Sequence, residues 1–245
     1  MRQFRPTTPS GNVGDADLWD LYAPPDRVTP RVRVNFVSSL DGAVTVDGYS
    51  EGLSGAADKR VFGVLRGQCD VLLVGAGTLR HEGYGPVRLS PDRRERRRAA
   101  GLPEVPVLAV VSGQLDLSPE HPALAEAPVR PVVITHAGSP VDRREGLSSV
   151  ADVLVCGESE VDLAAALDTL AARGLTQVLC EGGPYLLGAL QRADRVDELC
   201  LTMAPLLAGP GAGRITAGEP APVRRMALAQ VLEEDGDLFL QYVRD

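Results

Sequence analysis

The segment VLCEGGPYLLGAL, Val178 to Leu190, decides the type of fold, because a glycine turn in it joins an apolar run typical of a strand to an apolar pattern typical of a helix. Its first residues form a short apolar run typical of a buried strand. Pro184 suits the first turn of a helix, and the leucines after it recur at helical spacing. Glycine has no Cβ, so the Glu-Gly-Gly-Pro turn predicts a strand that enters a helix where backbone can approach a ligand closely.

The rest of the chain repeats this alternation of apolar runs and amphipathic stretches. The segment SEVDLAAALDTLAARG predicts a helix with Ser159 as N-cap and Gly174 as terminator. VLEEDGDLFLQYV predicts a hairpin that turns at Asp235-Gly236. Further strands are predicted at 31–37, 71–75, 106–111, 131–135, 151–157, 177–180 and 197–205, with helices over 58–67 and after Pro184. We therefore expect an α/β protein with a largely parallel sheet and an antiparallel end.

Composition excludes several classes of function. The net charge of −8 argues against general nucleic-acid binding, and no apolar run approaches the ~20 residues that a membrane span needs. The first residues lack the apolar centre of a signal peptide, so we expect a cytoplasmic protein. The four cysteines have no metal-site spacing and are expected to be buried thiols, with no metal centre.

The chain divides by composition into two parts. Residues 1–30 are rich in Pro, Gly and Asp and are expected to form an extension, in which ADLWDLYA docks on the body or on a partner subunit. Residues 31–245 carry the strand and helix patterns and are expected to form one domain. Within it, the run DRRERRRAAG at 92–101 is expected to be a solvated helix face or loop.

A second glycine turn follows the apolar run VLLVG. In VGAGTLRHEGYGPVR, Gly75 and Gly77 leave the strand and Thr78 can cap a helix or bind a phosphate oxygen. The exposed amides at a helix N-terminus bind anions, so two such turns suggest a dinucleotide. A Rossmann fingerprint is rejected, because Arg80 stands where its third glycine belongs.

The loop that follows the first predicted strand of the domain is a candidate cover for a site. NFVSSLDGAVTVDGYSEGLS, Asn35 to Ser54, carries serines, Asp41 and several glycines over an unusual length. Ser50 also sits in a G-x-S-x-G match, which would suggest a serine hydrolase. Gly52 and Gly55 interrupt the helix that should follow directly, so the match disagrees with that class of enzyme.

Three motifs together resemble the reductase domain of the riboflavin-pathway pyrimidine reductases. They are VSSLDG, LRGQCDVLLVGAGTLRHEGYGPVR and EGGPYLLGALQRADRVDELCLTMAPLLAG, and the resemblance covers about residues 31–244. It implies a dihydrofolate-reductase-like fold. It also implies an enzyme that uses NADPH to reduce the ribosyl group of a phosphoribosylamino-pyrimidine, a small heterocyclic substrate, to a ribityl group.

The resemblance implies roles for individual residues. Toward the cofactor it points to Val37, Ser38, Gly75, Gly77, Thr78, Glu82, Gly182, Gly183, Pro184, Tyr185 and Leu186. Toward the substrate it points to Ser50, Arg66, Arg88 and Glu181. Arginine suits the ribose phosphate and a carboxylate suits the heterocyclic ring. Asp41 and Glu181 are the candidate catalytic residues that orient a proton donor or a water.

The resemblance is incomplete and leaves alternatives open. The family's Asp-Asp-Pro after the second glycine turn is Glu82-Gly83-Tyr84 here, Gly52 replaces a frequent aromatic, and a fused zinc deaminase domain is not expected. A reductase of the same fold that acts on dihydrofolate or a pterin-like ring, and a non-catalytic nucleotide-binding protein, stay open. NADPH is expected over NADH, with Arg80 near the 2′-phosphate, and family members pair, so we expect a homodimer.

Overall fold

The computed structural model describes residues 1–5 and 13–245. Within these residues, one ten-stranded sheet is covered by helices. The strands are β1 (Arg2–Arg5), β2 (Arg31–Ser39), β3 (Val71–Gly75), β4 (Val107–Val111), β5 (Val132–Thr135), β6 (Asp152–Val155), β7 (Gln177–Cys180), β8 (Glu198–Ala204), β9 (Met226–Glu234) and β10 (Asp237–Arg244). The helices are α1 (Asp15–Leu21), α2 (Ala56–Gln68), α3 (Ala76–His81), α4 (Pro91–Ala99), α5 (Pro122–Ala125), α6 (Val141–Leu147), α7 (Leu163–Ala172) and α8 (Pro184–Arg192), with a 3-10 turn at Ser50–Leu53.

The sheet has a parallel body and an antiparallel end. Its strand order is β1-β9-β10-β8-β2-β7-β3-β4-β5-β6. All neighbours from β8 to β6 run parallel, whereas β10 pairs antiparallel with β8 and β9, and β1 with β9. The predicted fold class is confirmed, including the hairpin at Asp235-Gly236, where both residues have positive φ. Because parallel strands share their carboxyl edge, the loops after β2, β3 and β7 meet on one side.

Two apolar cores lie on opposite faces of the sheet. In β3, Leu72 and Val74 belong to the core under α1 and α2, whereas Val71 and Leu73 belong to the core under α7 and α8. Alternate residues of a strand point to opposite faces, so a continuous apolar run is the pattern expected of a strand covered on both sides. All four cysteines are buried free thiols, as predicted, and burial raises the pKa of Cys69 and Cys180 to about 12.

The N-terminal segment packs against the body. Leu18 and Tyr22 of α1 are buried in the first core, and the Trp19 ring lies against α2 so closely that a Cβ at Gly67 would be 2.5 Å from it. β1 extends the sheet at its antiparallel edge. The segment ADLWDLYA therefore docks on the body of the protein, one of the two alternatives that its sequence predicted. The domain boundary at residue 30 stays a prediction.

One local prediction is wrong, and a second is wrong at one residue. Helix α7 begins three residues later than predicted, because Asp162, not Ser159, is its N-cap and accepts a hydrogen bond from Ala165 N at 3.0 Å. The arginine run forms α4, but Arg97 in it is fully buried. Its guanidinium donates to the carbonyl oxygens of Pro103, Gly67 and Cys69, which compensates its burial. None of the helices in the described part of the chain is long and apolar enough to cross a membrane.

Candidate active site

A cavity of about 670 Å³ opens at the carboxyl edge of the parallel strands. It lies where loops after β2, β3 and β7 converge, and α2 forms its wall. Its lining comes from four segments of the chain, at 35–37, 44–66, 78–87 and 181–184, each represented by several residues, and from Leu72 of β3. Its volume is in the range of sites that bind small molecules.

Glu181 is the most constrained charged group in this cavity. Its side chain is 2% exposed and accepts a paired salt bridge from Arg66, with Nε at 2.7 Å from Oε1 and Nη2 at 2.6 Å from Oε2. Tyr84 donates its hydroxyl to Oε2 at 2.7 Å. Three charge-assisted hydrogen bonds hold the carboxylate in one orientation, at the end of β7 and immediately before the glycine turn.

Aromatic side chains complete the surroundings of this ion pair. The Arg66 guanidinium lies 4.2 Å from the centre of the Phe62 ring and 5.7 Å from that of Tyr84. Burial opposes the charge of Arg66, but the Glu181 carboxylate outweighs it, so the pKa of Arg66 lies above its ordinary value. Burial, and then Glu181, raise the pKa of Tyr84 well above 10, so its hydroxyl stays protonated and donates.

The Gly182-Gly183 turn is tightly enclosed. Gly182 has φ +99°, and a Cβ there would lie 3.2 Å from the Phe36 ring. A Cβ on Gly183 would lie 2.6 Å from Thr78 Oγ1. The peptide between the two glycines is cis. These distances favour glycine at both positions. The N-terminus of α8 lies beside the cavity, since Gly183 and Pro184 belong to its lining.

The second glycine turn packs directly against the first. Gly75 N donates to Gly182 O at 2.8 Å, so the two turns form one corner of the cavity. Gly77 lies in α3 with nothing within 4 Å of a Cβ at its position. Thr78 and Glu82 from α3 and its C-terminal end line the cavity.

The loop after β2 closes over the cavity as a lid, defined here as residues 40–54. Ser50 Oγ donates to Glu82 Oε2 at 3.0 Å. The Tyr49 ring stacks on His81, with ring centres 4.8 Å apart, and His81 Nε2 lies 2.9 Å from Gly48 O. These contacts join the lid to α3. They also occupy Ser50 and His81 with other partners, an arrangement unlike that of a serine nucleophile and its base.

The structure brings eight of the predicted site residues together in the cavity and places the others outside its lining. The lining residues are Val37, Ser50, Arg66, Thr78, Glu82, Glu181, Gly183 and Pro184. Gly75 and Gly182 are bonded to each other in the glycine corner but do not line the cavity. Ser38 and Leu186 are buried, Tyr185 is 75% exposed, Gly77 faces open space, and Arg88 is exposed.

Asp41 and Arg66 make contacts within the protein that the resemblance did not imply, while their predicted roles stay predictions. The exposed Asp41 carboxylate accepts hydrogen bonds from Ser39 Oγ and from the backbone amides of Ala208 and Gly209, which lower its pKa. It thus connects two loops at the rim. Arg66, expected at the ribose phosphate, has its fork of donors engaged by Glu181.

Sequence reasoning missed the partners of Glu181. Tyr84 lies 97 positions away in the chain, in the stretch noted only because it departs from the family's Asp-Asp-Pro. Phe62 is four residues before Arg66 on α2, so helical spacing would have placed the two on one face. Lys59, also on α2, lines the mouth of the cavity and was not considered.

Comparisons with known proteins agree with this architecture. A family profile described as RibD C-terminal domain matches residues 30–240. A protein of Archaeoglobus fulgidus, named 2,5-diamino-6-ribosylamino-4(3H)-pyrimidinone 5′-phosphate reductase, is 29% identical over 74% of this chain and 82% of its own length. The protein of the same name from Methanothermobacter thermautotrophicus is 28% identical over 87% of this chain and 97% of its own.

A solved structure extends the agreement to three dimensions. The crystal structure of a pyrimidine reductase-like protein from Corynebacterium diphtheriae has a TM-score of 0.81 and 28% identity, covering 93% of this chain and 98% of that one. The sheet, its antiparallel end and the cavity at its carboxyl edge define an α/β protein of the dihydrofolate-reductase-like fold. The chain belongs to the RibD C-terminal domain family.

Proposed function

We propose that this protein is an oxidoreductase of riboflavin biosynthesis that reduces the ribosyl group of a phosphoribosylamino-pyrimidine to a ribityl group. The observation that carries the proposal is the cavity itself, in which a charged and oriented carboxylate, Glu181, lies beside a glycine corner at a helix N-terminus. The relatives from Archaeoglobus and Methanothermobacter are named for such a reductase, and their names specify the diamino form of the pyrimidine. We therefore propose the diamino compound as the first substrate to test.

The glycine corner fits a dinucleotide cofactor, which we propose to be NADPH. A Cβ at Gly183 would lie 2.6 Å from Thr78 Oγ1, so glycine lets the N-terminus of α8 lie directly beside the Thr78 hydroxyl, and both can face the same phosphate. The amides that begin α8 would bind the pyrophosphate, and Val37 would contact the nicotinamide side. When bound, the cofactor supplies a hydride. Thr78, beside the glycine corner, and Glu82, at the end of the same helix, would orient it.

Glu181 is proposed to recognise the substrate ring. Its carboxylate is held by Arg66 and Tyr84, so little reorganisation is needed when ring N–H groups bind. Asp41 is less suited to act at the reacting centre, because it lies at the rim and its oxygens serve the loop amides of Ala208 and Gly209. Ser50, on the lid, is proposed to contact the sugar or its phosphate.

The first experiment measures NADPH consumption with three compounds in parallel: the diamino phosphoribosylamino-pyrimidine, its deaminated form and dihydrofolate. Turnover of a phosphoribosyl compound is expected, and Glu181→Gln should lower kcat/KM roughly 10- to 100-fold, as loss of charge-assisted hydrogen bonds does. Turnover of dihydrofolate alone would move the substrate to a pterin-like ring. NADPH binding without any turnover would favour a non-catalytic protein.

Preference for NADPH over NADH rests on Arg80. Its guanidinium donates to Asp116 O at 2.7 Å, and the Asp116 carboxylate lies 3.8 Å away, so it is held near the second glycine turn. Arg80→Ala should raise KM for NADPH roughly 10-fold or more and leave KM for NADH unchanged, since only NADPH has the 2′-phosphate. Equal changes for both cofactors would contradict this assignment.

We also propose a homodimer, on the resemblance alone. Light scattering of the purified protein would report its mass against the 25.9 kDa of one chain. A mass near 25.9 kDa would rule out the dimer.

A further inference from the structure

Two carboxylates are buried in the cavity wall, and only one of them has a cationic partner. The Glu181 carboxylate is paired with Arg66 at 2.6 Å. Asp58 lies in the first turn of α2, is 6% exposed and also lines the cavity. Within residues 1–5 and 13–245, it makes no salt bridge with an arginine or a lysine. A buried charge without a counter-charge is unfavourable, so the charge of Asp58 remains available to a cationic ligand.

Two hydroxyl groups hold the Asp58 carboxylate in place. Thr202 Oγ1 donates to Oδ1 at 2.6 Å, and Ser54 Oγ, at the end of the lid, donates to Oδ2. Hydroxyl donors orient a carboxylate and make its burial less unfavourable, but they leave its net charge unchanged. The dipole at the start of α2 adds only a fraction of a positive charge. An uncompensated negative charge therefore remains on this wall of the cavity.

The neighbouring charged groups add to this negative charge or point away from it. The Asp237 carboxylate of β10 is also buried and approaches Gly55, the N-cap of α2, where a Cβ would lie 3.2 Å from Oδ2. Burial, and then the charge of Asp58, raise the pKa of Asp237. Lys59, the next residue of α2, is 60% exposed, and its ammonium lies 3.6 Å from Glu51. The start of α2 therefore presents a negative potential to the cavity.

Asp58 lies beside the place where the hydride is proposed to be transferred. Thr202, to which it is bonded, is the register partner of Val37 in the parallel pair of β2 and β8. Neighbouring strands lie about 4.8 Å apart, and reacting atoms must come within about 3–3.5 Å of each other. Because Val37 is proposed to contact the nicotinamide side, the carbon that accepts the hydride lies on the same side of the cavity as the Asp58 carboxylate.

We propose that Asp58 is a catalytic residue whose carboxylate stabilises the positive charge that forms on the substrate when the ribosyl ring opens. The inference rests on the proposed function, because it requires a substrate in which a sugar carbon is bonded to nitrogen. In this role Asp58 contacts C1′ and the nitrogen attached to it. Glu181, whose charge is already paired, binds the neutral pyrimidine ring.

Ring opening creates one positive charge, and reduction removes it. The bond between C1′ and the ring oxygen breaks, and the oxygen keeps the electron pair and takes a proton from the solvent. The lone pair of the attached nitrogen forms the C1′=N bond, which leaves the positive charge on these two atoms. C1′ then accepts the hydride that NADPH supplies, and the π electrons return to the nitrogen. A carboxylate fixed before the reaction stabilises this transient cation without reorganisation.

A matched pair of small molecules tests the preference for a cation without any turnover. Ribitylamine carries an ammonium at neutral pH on the carbon that corresponds to C1′, whereas ribitol is neutral and otherwise similar. NMR titration of the full chain at about 0.15 M salt should give a Kd for ribitylamine roughly 10-fold or more below that for ribitol. Asp58→Asn, which keeps the shape of the side chain and removes its charge, should abolish this preference. Asp58→Glu should retain most of it.

Glu51→Gln is the matched control, because Glu51 also lines the cavity but is 82% exposed. This variant should keep the preference for ribitylamine, since salt screens exposed charges. An equal loss of preference in Glu51→Gln and Asp58→Asn would show only a diffuse attraction of cations to an acidic protein and would overturn the proposal. Equal Kd values for the two probes, no binding of ribitylamine, or a preference that survives in Asp58→Asn would overturn it as well.

Kinetics with the proposed substrate separates catalysis from a structural role. Asp58→Asn should lower kcat roughly 100- to 1000-fold and change KM for the pyrimidine less than about threefold, because the cation forms only during the reaction. Asp58→Glu should recover part of the loss. Thr202→Val keeps the charge of Asp58, removes one of its two donors and should lower kcat roughly 10-fold, so it serves as the test if Asp58→Asn does not fold. A rise of KM with kcat preserved would contradict the proposal.

The two experiments separate this proposal from the proposed function. A preference for ribitylamine that depends on Asp58, without turnover of any phosphoribosyl compound, would support the binding of a cation by Asp58 and refute the proposed function. Turnover of a phosphoribosyl compound with an unchanged kcat in Asp58→Asn would refute the role of Asp58 and leave the proposed function intact.

Discussion

The two glycine turns look alike in sequence and differ in structure. Gly182 and Gly183 are enclosed, since a Cβ at either position would lie 3.2 Å or less from a neighbouring side chain. A Cβ at Gly75 would meet atoms at ordinary distances from 3.7 Å, and one at Gly77 would meet nothing within 4 Å. A glycine pair after a buried strand therefore does not by itself indicate close approach of backbone to another group. Whether such an approach occurs depends on the side chains that distant parts of the chain place around the glycine pair.

The largest effect is expected at the enclosed turn. Gly183→Ala places a Cβ 2.6 Å from Thr78 Oγ1 and should lower the free energy of unfolding by about 1–3 kcal/mol, as overpacking does. It should also weaken NADPH binding, because the new methyl group would push apart Thr78 and the N-terminus of α8, which are both proposed to contact the cofactor. Urea unfolding and a fluorescence titration with NADPH measure the two effects.

A double-mutant cycle with Thr78→Ala isolates the contact. If the clash with the threonine hydroxyl causes the destabilisation, the two substitutions together should cost about 0.5–3 kcal/mol less than their sum. Strict additivity would show that the cost of Gly183→Ala arises elsewhere.

An intermediate effect is expected at Tyr84. Its hydroxyl connects the segment that follows the Gly75–Gly77 turn to the Glu181 carboxylate. Tyr84→Phe removes the hydroxyl that lies 2.7 Å from Glu181 Oε2 and leaves the ring beside Arg66. Loss of one hydrogen bond to a charged group should cost about 1.5 kcal/mol of stability and raise KM for the pyrimidine more than KM for NADPH. Tyr49→Phe, which keeps its ring at His81, serves as the control and should change neither. An equal rise of both KM values would argue against a link between Tyr84 and ring recognition.

The smallest effect is expected at the open turn. Gly77→Ala lies in α3 with free space around it, so the alanine should stabilise the protein by about 0.5–1 kcal/mol through helix propensity. Activity and NADPH affinity should stay unchanged. A loss of NADPH affinity would show that the second turn approaches the cofactor as closely as the first, and would remove the contrast between them.

The fold was predictable because its signals are local. β3 is a continuous apolar run because helices cover both faces of the sheet, and the Asp235-Gly236 turn requires the positive φ that these residues tolerate. The N-cap of α7 was misplaced because both Ser159 and Asp162 have capping side chains, and the backbone conformation selects between them. The burial of Arg97 has little local signal, since two of the three carbonyl groups that bind it, those of Gly67 and Cys69, belong to a distant segment.

The site was predictable only in part, because its contacts join segments that lie far apart in the sequence. Glu181 stands out because it lies between a buried strand and a glycine turn. Its pairing with Arg66 joins residues 115 positions apart, and its bond to Tyr84 joins residues 97 positions apart. The sequence therefore indicates which side chains are chemically suitable, whereas tertiary structure decides that Arg66 serves Glu181.

The position of β2 between β7 and β8 has a consequence for how the protein is made. Val37 and the lid belong to the first part of the domain, yet β2 obtains both of its neighbours from far later segments, as the bond between Arg33 and Glu198 across 165 positions illustrates. Such long-range parallel pairing is slow, because the loop must close before the contacts form. During synthesis, the β2 strand must wait without its sheet partners until most of the chain has left the ribosome. The nascent protein is therefore expected to depend on chaperones for longest at the strand that later lines its cavity.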